Sequence, residues 1–331
     1  MQSYRLHDLS LTVERWPGIS GDCLENLLGD LSFENVDETA EVSALRLRLR
    51  PGAVEGMPRV SGHELFRLDG VRAVQQGDVL FLAVGTTVMR LSPTSGAAEA
   101  WVDPAFATRP EIVRRNFWAF GLMKLLRARE VFTLHAACLV SPEGTGVLLV
   151  APPGNGKSTL ALGLIRGGWQ YLSDDAVLLR REGATISAMA LRRHFYVDAR
   201  ARHRYEHVIP TAVPDAEGGW RHRIDMEQAW PGRSLARCTP TIVIFPGIEP
   251  AEGSTLLPME APEALARLLR ESGPQLFDSE TMGAHLELLA ALSEQCRRYR
   301  LAAGRDLYAE PGRLAAMLAA EEGAEGGQNP A

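Results

Sequence analysis

The sequence predicts an α/β fold preceded by a smaller β-rich or α+β region, and three observations carry that expectation. First, between residues 132 and 180, two apolar extended runs, a Gly/Pro loop, a helical stretch and two more extended runs follow one another. That alternation belongs to a sheet covered by helices. Second, the loop Ala151-Pro152-Pro153-Gly154-Asn155-Gly156-Lys157-Ser158-Thr159 leaves an apolar strand, Gly146–Val150, and enters a helix, the setting in which a phosphate-holding loop works. Third, helical patterns recur at about 262–271, 281–297 and 311–320, with Pro262 and Pro311 in favoured first-turn positions.

Residues 1–108 alternate short apolar segments with turn residues: Leu9–Val13, Ala44–Leu49, Val79–Val84, Thr87–Leu91 and Ala100–Val102, punctuated by Pro51-Gly52, Gly77-Asp78 and Ser95-Gly96. This rhythm predicts a small β-rich or α+β domain, a place for substrate recognition. Val113, Phe117, Phe120, Met123 and Leu126 recur at helical spacing, so 109–130 reads as a helix linking two domains. The region 131–320 then reads as a catalytic domain. Phe132–Val140 and Val147–Ala151 flank a turn at Pro142-Glu143-Gly144. Lys157–Arg166 is helical, and Gly167-Gly168 ends it where a left-handed residue is wanted. Trp169–Leu172 is a short strand delivering Ser173-Asp174-Asp175, Ala176–Arg180 continues extended, and Thr241–Phe245 is a further strand. The polar, Gly-rich stretch 321–331 reads as a disordered tail.

Composition narrows the function. The 331 residues suffice for one large or two ordinary domains. Thirty-five basic against 41 acidic side chains give a net charge of -6, which argues against a nucleic-acid partner. No apolar run has the length of a signal core or a membrane span, so a cytoplasmic protein with no membrane partner is expected. Cys23, Cys138, Cys238 and Cys296 are scattered and read as reduced thiols.

The chemistry sits in the loop. Wrapping a polyphosphate brings backbone N–H groups close to anionic oxygens, which Gly154 and Gly156 permit, and Asn155 and Thr159 complete the binding segment. The helix aims its positive end at the same charge. Lys157 can then reach the β- and γ-phosphates of ATP while the Ser158 hydroxyl ligates Mg²⁺. Ala151 stands where a first Gly is usual, a difference of one methyl group.

Asp174 and Asp175 end the next strand, where phosphate-loop enzymes place a carboxylate for Mg²⁺ and one for the attacking group. Neighbouring strand residues point to opposite faces unless the backbone turns, so one Asp is expected at the metal and the other at the acceptor. A turn-forming Asp pair is the alternative. His135 is a lone His in an apolar strand, a setting that more often holds a satisfied core residue than a catalytic one. The basic run Arg192–His207, with Arg200, Arg202, His203 and Arg204, suits a solvated face or an acidic ligand.

Together, His135, Gly156-Lys157-Ser158, Arg166-Gly167-Gly168 and Ser173-Asp174-Asp175 resemble the catalytic domain of the HPr kinase/phosphorylase family, whose fold is shared with ATP-dependent phosphoenolpyruvate carboxykinases. The resemblance is specific over 132–180 and weaker over 220–310. It implies phosphate binding by Lys157, Mg²⁺ binding by Ser158 with Asp174 in support, acid/base work by Asp175 and a functional His135. It also implies that Arg233, in Pro231-Gly232-Arg233, approaches the phosphates; a solvated Arg on a Pro-Gly turn is the other reading.

Homo-oligomeric assembly is a further implication. The family's Gly-rich signature with its Mg²⁺-binding Glu has no counterpart in Leu191–Arg200, where Asp198 is the acidic residue at hand. This departure points to an acceptor other than HPr, as in divergent members that phosphorylate serine on precursor peptides of natural products. The expectation is therefore an ATP- and Mg²⁺-dependent serine kinase acting on a protein or peptide. A kinase of free serine, a hydrolase or carboxykinase-like enzyme, and a nucleotide-sensing module without phosphotransfer are the alternatives.

Overall fold

The computed structural model describes residues 1–36, 45–52, 57–92, 94–192, 194–198, 221–273, 280–310 and 312–326. Arg200, Arg202, His203, Arg204 and Pro311, named above, lie outside them. The described residues divide into two compact units, one within 1–133 and 272–287, the other within 134–198, 221–271 and 288–326.

The first unit is built on a nine-stranded sheet. Its order across the sheet is Glu34–Val36, Gln2–Leu6, Leu9–Arg15, Leu45–Pro51, Ala97–Val102, Thr87–Ser92, Val79–Val84, Val71–Gln76 and His63–Leu68. Leu45–Pro51 is parallel to both its neighbours and the other pairs are antiparallel. The alternation Leu45-Arg46-Leu47-Arg48-Leu49 accounts for this central strand. Its leucines are buried, while Arg48 turns outward and donates to Glu14 on the adjacent strand at 2.8 Å. The helix Glu111–Arg127 starts after Pro110 and buries Phe117, Trp118, Leu122, Leu125 and Leu126. These are bulky enough that each contributes about 1.5–3 kcal/mol on burial.

The second unit holds a six-stranded sheet in the order Gln170–Ser173, Ala136–Val140, Gly146–Val150, Pro240–Ile248, Arg297–Ala303 and Thr255–Pro258. Gly146–Val150, Pro240–Ile248 and Arg297–Ala303 run parallel, so their carboxyl ends share one edge. Ligands of open α/β sheets bind outside that edge. All five residues of Gly146–Val150 are buried, the continuous apolar run of a strand covered on both faces.

The helix Lys157–Arg166 covers this sheet through Leu160, Ala161, Leu164 and Ile165, in one apolar cluster with Leu149, Ile244 and Tyr299. Its end is closed by Gly168, at φ +105°, and by the Trp169 N–H donating back to Leu164 O at 3.1 Å. A second sheet contains the hairpin Val177–Glu182 and Thr185–Ala190 with Arg237–Cys238, and His194–Asp198 pairs with Arg221–Asp225 as a two-stranded ribbon.

Mixed α/β architecture is thus present as the sequence predicts. Phe132–Val140, read as one strand, is two: Phe132–Leu134 and Ala136–Val140, broken at His135. The break has a local cause, because the His135 N–H donates to Glu271 O, outside the sheet ladder, at 3.0 Å. The final helix, Arg313–Gly326, continues beyond residue 320. Among the described residues no helix is long and apolar enough to cross a membrane.

Candidate functional site

The loop that follows Gly146–Val150 owes its shape to two glycines. Gly154 (φ +85°) and Gly156 (φ +79°) both occupy the left-handed region, which a Cβ disfavours. Gly156 is also the residue ahead of the first helical turn, and it has no side chain to cap the N–H groups that begin there. Those donors and the helix dipole are therefore available to an anion. Lys157, Ser158 and Thr159 form that turn, and all three line a cleft with Gly154, Asp174, Asp175 and His135.

Lys157 is 6% exposed, and its ammonium sits 3.9 Å from an oxygen of Asp174 and 3.9 Å from one of Asp175. Neither distance is a hydrogen bond, and among the described residues both Lys157 Nζ and Asp174 Oδ1 lack a hydrogen-bond partner. Buried polar atoms in that condition are costly, and a ligand that meets both relieves the cost.

The two carboxylates differ by environment. Asp174 is buried; desolvation raises its carboxyl above the ordinary range, while Lys157 and a hydrogen bond from Ser158 pull the other way. Burial would likewise raise Asp175. It is outweighed by the His135 hydrogen bond and by the charges of Arg192, Lys157 and His135, so the carboxyl lies well below the usual range. Asp175 is accordingly an ionised, weakly basic group held in place.

Backbone conformation reconciles the neighbouring aspartates. Asp175 has φ +65°, an uncommon value for a residue with a Cβ, and this turn directs both carboxylates to Lys157. His135 Nε2 lies 3.1 Å from Asp175 Oδ1, and Nδ1 of the same ring lies 2.9 Å from Glu271 Oε2. Ionised carboxylates only accept, so the arrangement is satisfied when both ring nitrogens carry protons. Arg192 completes the set, 3.4 Å from Asp175 Oδ2.

The structure therefore gathers His135, Gly154, Gly156, Lys157, Ser158, Thr159, Asp174 and Asp175 about one cleft. Asn155 faces the adjoining one and donates to Pro152 O. Arg233 is elsewhere: a guanidinium nitrogen lies 3.6 Å from where a Cβ on Gly168 would stand, at the far end of the ten-residue helix from the loop. The strand Gln170–Ser173 places it there, with the Tyr171 N–H donating to Arg233 O. Asp198 ends the ribbon strand His194–Asp198. Glu271 gave no signal beyond closing a helical pattern, and Arg192 read as the start of a solvated basic run.

Hard oxygen donors from Ser158 and Asp174 suit Mg²⁺, which uses one or two carboxylates and completes its shell with water and substrate phosphates. Among the described residues no group of three or more His, Cys, Asp or Glu forms a metal cage. The unpartnered Asp174 oxygen is an observation that fits such an ion.

Fold and site define an α/β protein with a glycine loop leading into a helix and a Lys–Asp–Asp–His cluster at its mouth. No protein-family model matches the chain. In sequence it is 41% identical over 65 residues to the HPr kinase/phosphorylase of Chlorobium chlorochromatii, covering 20% of each chain. It is 34% identical over 105 residues to that of Chlorobium limicola, covering 31% of this chain and 30% of the relative.

These matches show the chain to be HPr-kinase-like over part of its length; it spans 20% to 30% of these curated relatives. A solved structure of the Hpr(Ser) kinase/phosphatase from Coxiella burnetii aligns at 13% identity with a TM-score of 0.33, covering 59% of this chain and 99% of that one. So low a score adds no support to the sequence match.

Proposed function

We propose that this chain is an ATP- and Mg²⁺-dependent kinase that transfers the γ-phosphoryl group to a serine hydroxyl of a protein or peptide other than HPr. The observation that carries this reading is the buried Lys157 ammonium equidistant from Asp174 and Asp175 without a hydrogen bond to either. A triphosphate at the loop meets that ammonium and the first-turn N–H groups. Ser158 and Asp174 would hold Mg²⁺, which would supply neutralisation of phosphate charge.

Asp175 receives the acceptor hydroxyl. The hydroxyl oxygen of the acceptor bonds to the γ-phosphorus as the bond from phosphorus to the β-bridging oxygen breaks, ADP departs, and the hydroxyl proton leaves through Asp175 to solvent. The transition state is loose, so orienting the hydroxyl matters more than early proton removal. A carboxylate held below its normal range suits that part. His135 and Arg192 fix its two oxygens. The acceptor is taken to differ from HPr because the family's Gly-rich Glu signature is missing from Leu191–Arg200.

Incubation with γ-labelled ATP and Mg²⁺, in the presence of HPr, free serine or candidate precursor peptides, tests the proposal. Labelled phosphoserine on a protein or peptide other than HPr supports it, and label on HPr overturns the assigned acceptor. Label released only as inorganic phosphate, in amounts lost with Lys157→Ala, replaces kinase with hydrolase.

A further inference from the structure

Two thiols meet inside the second unit. Cys138 lies in Ala136–Val140, every residue of which is buried, and Cys238 is half-buried in the short strand Arg237–Cys238. They are 100 positions apart in the chain and belong to different sheets, yet their Sγ atoms stand 3.5 Å apart. Cys296 is engaged otherwise: its Sγ donates to Pro240 O at 3.3 Å, and burial pushes its thiol up to about 12.

The two sulfurs differ in the way an oxidant-sensitive pair requires. Their hydrogen bond lowers the Cys238 thiol and raises that of Cys138. Thiolate character therefore collects on the more accessible sulfur, and a second thiol is held against it where solvent does not reach. A sulfenic acid formed on Cys238 would meet that neighbour before a second molecule of oxidant.

Cys138 is also joined to the site. It stands opposite Ser173 in the ladder, and the register of the two strands slips between Cys138 and Leu139. Ser173 Oγ donates to Ala176 O at 2.6 Å and accepts from the Arg192 N–H at 2.9 Å. One hydroxyl thus spans the Asp174–Asp175 turn and anchors the backbone of Arg192, whose guanidinium reaches Asp175. His135 immediately precedes the strand that carries Cys138.

Covalent closure shortens the separation of the sulfurs by about 1.5 Å. Cys238 is braced from behind, because Ala188 pairs with it and Ser187 Oγ donates to its carbonyl at 3.4 Å. The irregular ladder beside Cys138 is the place that yields.

We propose that Cys138 and Cys238 are a redox-sensitive pair which a hydroperoxide closes to a disulfide, and that closure displaces the Asp174–Asp175 turn and suppresses phosphotransfer. The effect on transfer rests on the kinase reading of the site; the closure does not. The Cys238 thiolate attacks the peroxide: a sulfur–oxygen bond forms, the oxygen–oxygen bond breaks, and the departing oxygen takes up a proton as water or an alcohol. The Cys138 sulfur then attacks the sulfenic acid. The sulfur–sulfur bond forms, the sulfur–oxygen bond breaks, and hydroxide leaves with the Cys138 proton as water. Two thiols are oxidised and one peroxide is reduced, and a dithiol reverses the change by exchange.

The test treats the reduced full chain with a small molar excess of hydrogen peroxide at neutral pH. Peptide mapping without reductant should join the peptides of Cys138 and Cys238 and leave Cys23 and Cys296 free. Phosphotransfer should fall at least about tenfold, since misplacing a catalytic group by about 1 Å costs up to a hundredfold, and dithiothreitol should restore it. Cys238→Ser, at the half-buried position, should keep the untreated activity and lose the response to peroxide. Cys138→Ala should leave Cys238 as a sulfenic acid that dimedone traps. A sulfinic acid on Cys238 with Cys138 still free, or a disulfide to another cysteine or between two chains, overturns the pair. A mapped disulfide with undiminished transfer overturns its effect on the site, as does equal peroxide sensitivity in Cys238→Ser. Reduced protein that transfers no phosphate overturns the kinase reading, and the peptide map still decides the pair.

Discussion

His135 and Asp175, forty residues apart in the chain, are joined by a 3.1 Å contact between Nε2 and Oδ1. The strand break at His135 and the left-handed backbone of Asp175 both serve that contact. Each departs from regular structure, and departures of this kind concentrate where a chain must aim a side chain.

Asp175→Asn is the cleanest probe of the contact. Asn tolerates positive φ and keeps the shape of the side chain, so folding is expected to survive. The charge that draws His135, Arg192 and Lys157 is lost. ATP affinity should change by less than about threefold while phosphotransfer falls on the order of a hundredfold or more, the range seen when an acid/base or orienting group is removed. Single-turnover transfer measured beside nucleotide binding checks this. Undiminished transfer removes Asp175 from its assigned role.

Acid stability follows from the same carboxyl. Its folded-state titration is depressed relative to the unfolded chain, so its contribution is fully present above the unfolded value of about 3.9 and is lost as pH falls through the lower, folded value. Wild-type protein should therefore lose stability more steeply than Asp175→Asn below about pH 4, with no change in their difference between pH 6 and 8. Urea midpoints across that series provide the measurement, and parallel curves throughout would contradict the assigned shift.

Lys157→Met should destabilise in a pH-dependent way. Removing the ammonium leaves the buried Asp174 without a compensating cation and beside the like charge of Asp175, a loss of about 3 kcal/mol for a broken buried pair. Asp174 is already raised by burial, so it is the group that can take up a proton in response. The stability deficit at pH 7.5 should shrink at pH 5. An equal deficit at both values would attribute the loss to side-chain packing.

How much could be read from residues alone follows from how local each signal is. The loop helix, Lys157–Arg166, was readable to the residue because its start, apolar spacing and Gly-Gly end are all encoded within a dozen positions. Leu45–Pro51 was readable because its leucines keep strict alternation. His63–Leu68 was not, since this edge strand is mostly exposed and offers no alternating apolar face. At the site, Lys157, Ser158 and the aspartates stand within one strand–helix–strand passage, where spacing carries meaning. Glu271 reaches His135 across 136 positions and Arg192 reaches Asp175 around the second sheet. No periodicity encodes a contact of that kind. Arg233 shows the converse, a motif whose local form gave no indication of which end of the helix it would meet.

Cys238 should be the first thiol to alkylate. Its Sγ lies 3.5 Å from that of Cys138, and this hydrogen bond lowers the Cys238 thiol while Cys138 is driven up. Cys296 is pushed to about 12 by burial, and Cys23 is raised by burial as well. Thiolate character and access both favour Cys238, which is half-buried where Cys138 and Cys296 are buried. Timed iodoacetamide labelling at pH 8 with peptide mass spectrometry should give Cys238 first and Cys138 last or not at all. Labelling of Cys138 before Cys238 would reverse the direction of the hydrogen bond.

Glu271→Ala addresses what holds His135 in place. The carboxylate is only 9% exposed, bonds Nδ1 of the ring, and its own backbone carbonyl accepts from the His135 N–H. Truncation keeps the backbone bond and frees the ring, so Asp175 loses its oriented partner while Lys157 and the loop are untouched. On the proposed mechanism, kcat should fall about tenfold to a hundredfold with the KM for ATP nearly unchanged, since misplacing a catalytic group by about 1 Å costs up to a hundredfold. Glu271→Gln keeps an acceptor oxygen at the same place and should recover part of the loss. A side chain serving only packing would lower thermal stability in Glu271→Ala, leave kcat intact below the melting transition, and gain nothing in turnover from the Gln variant.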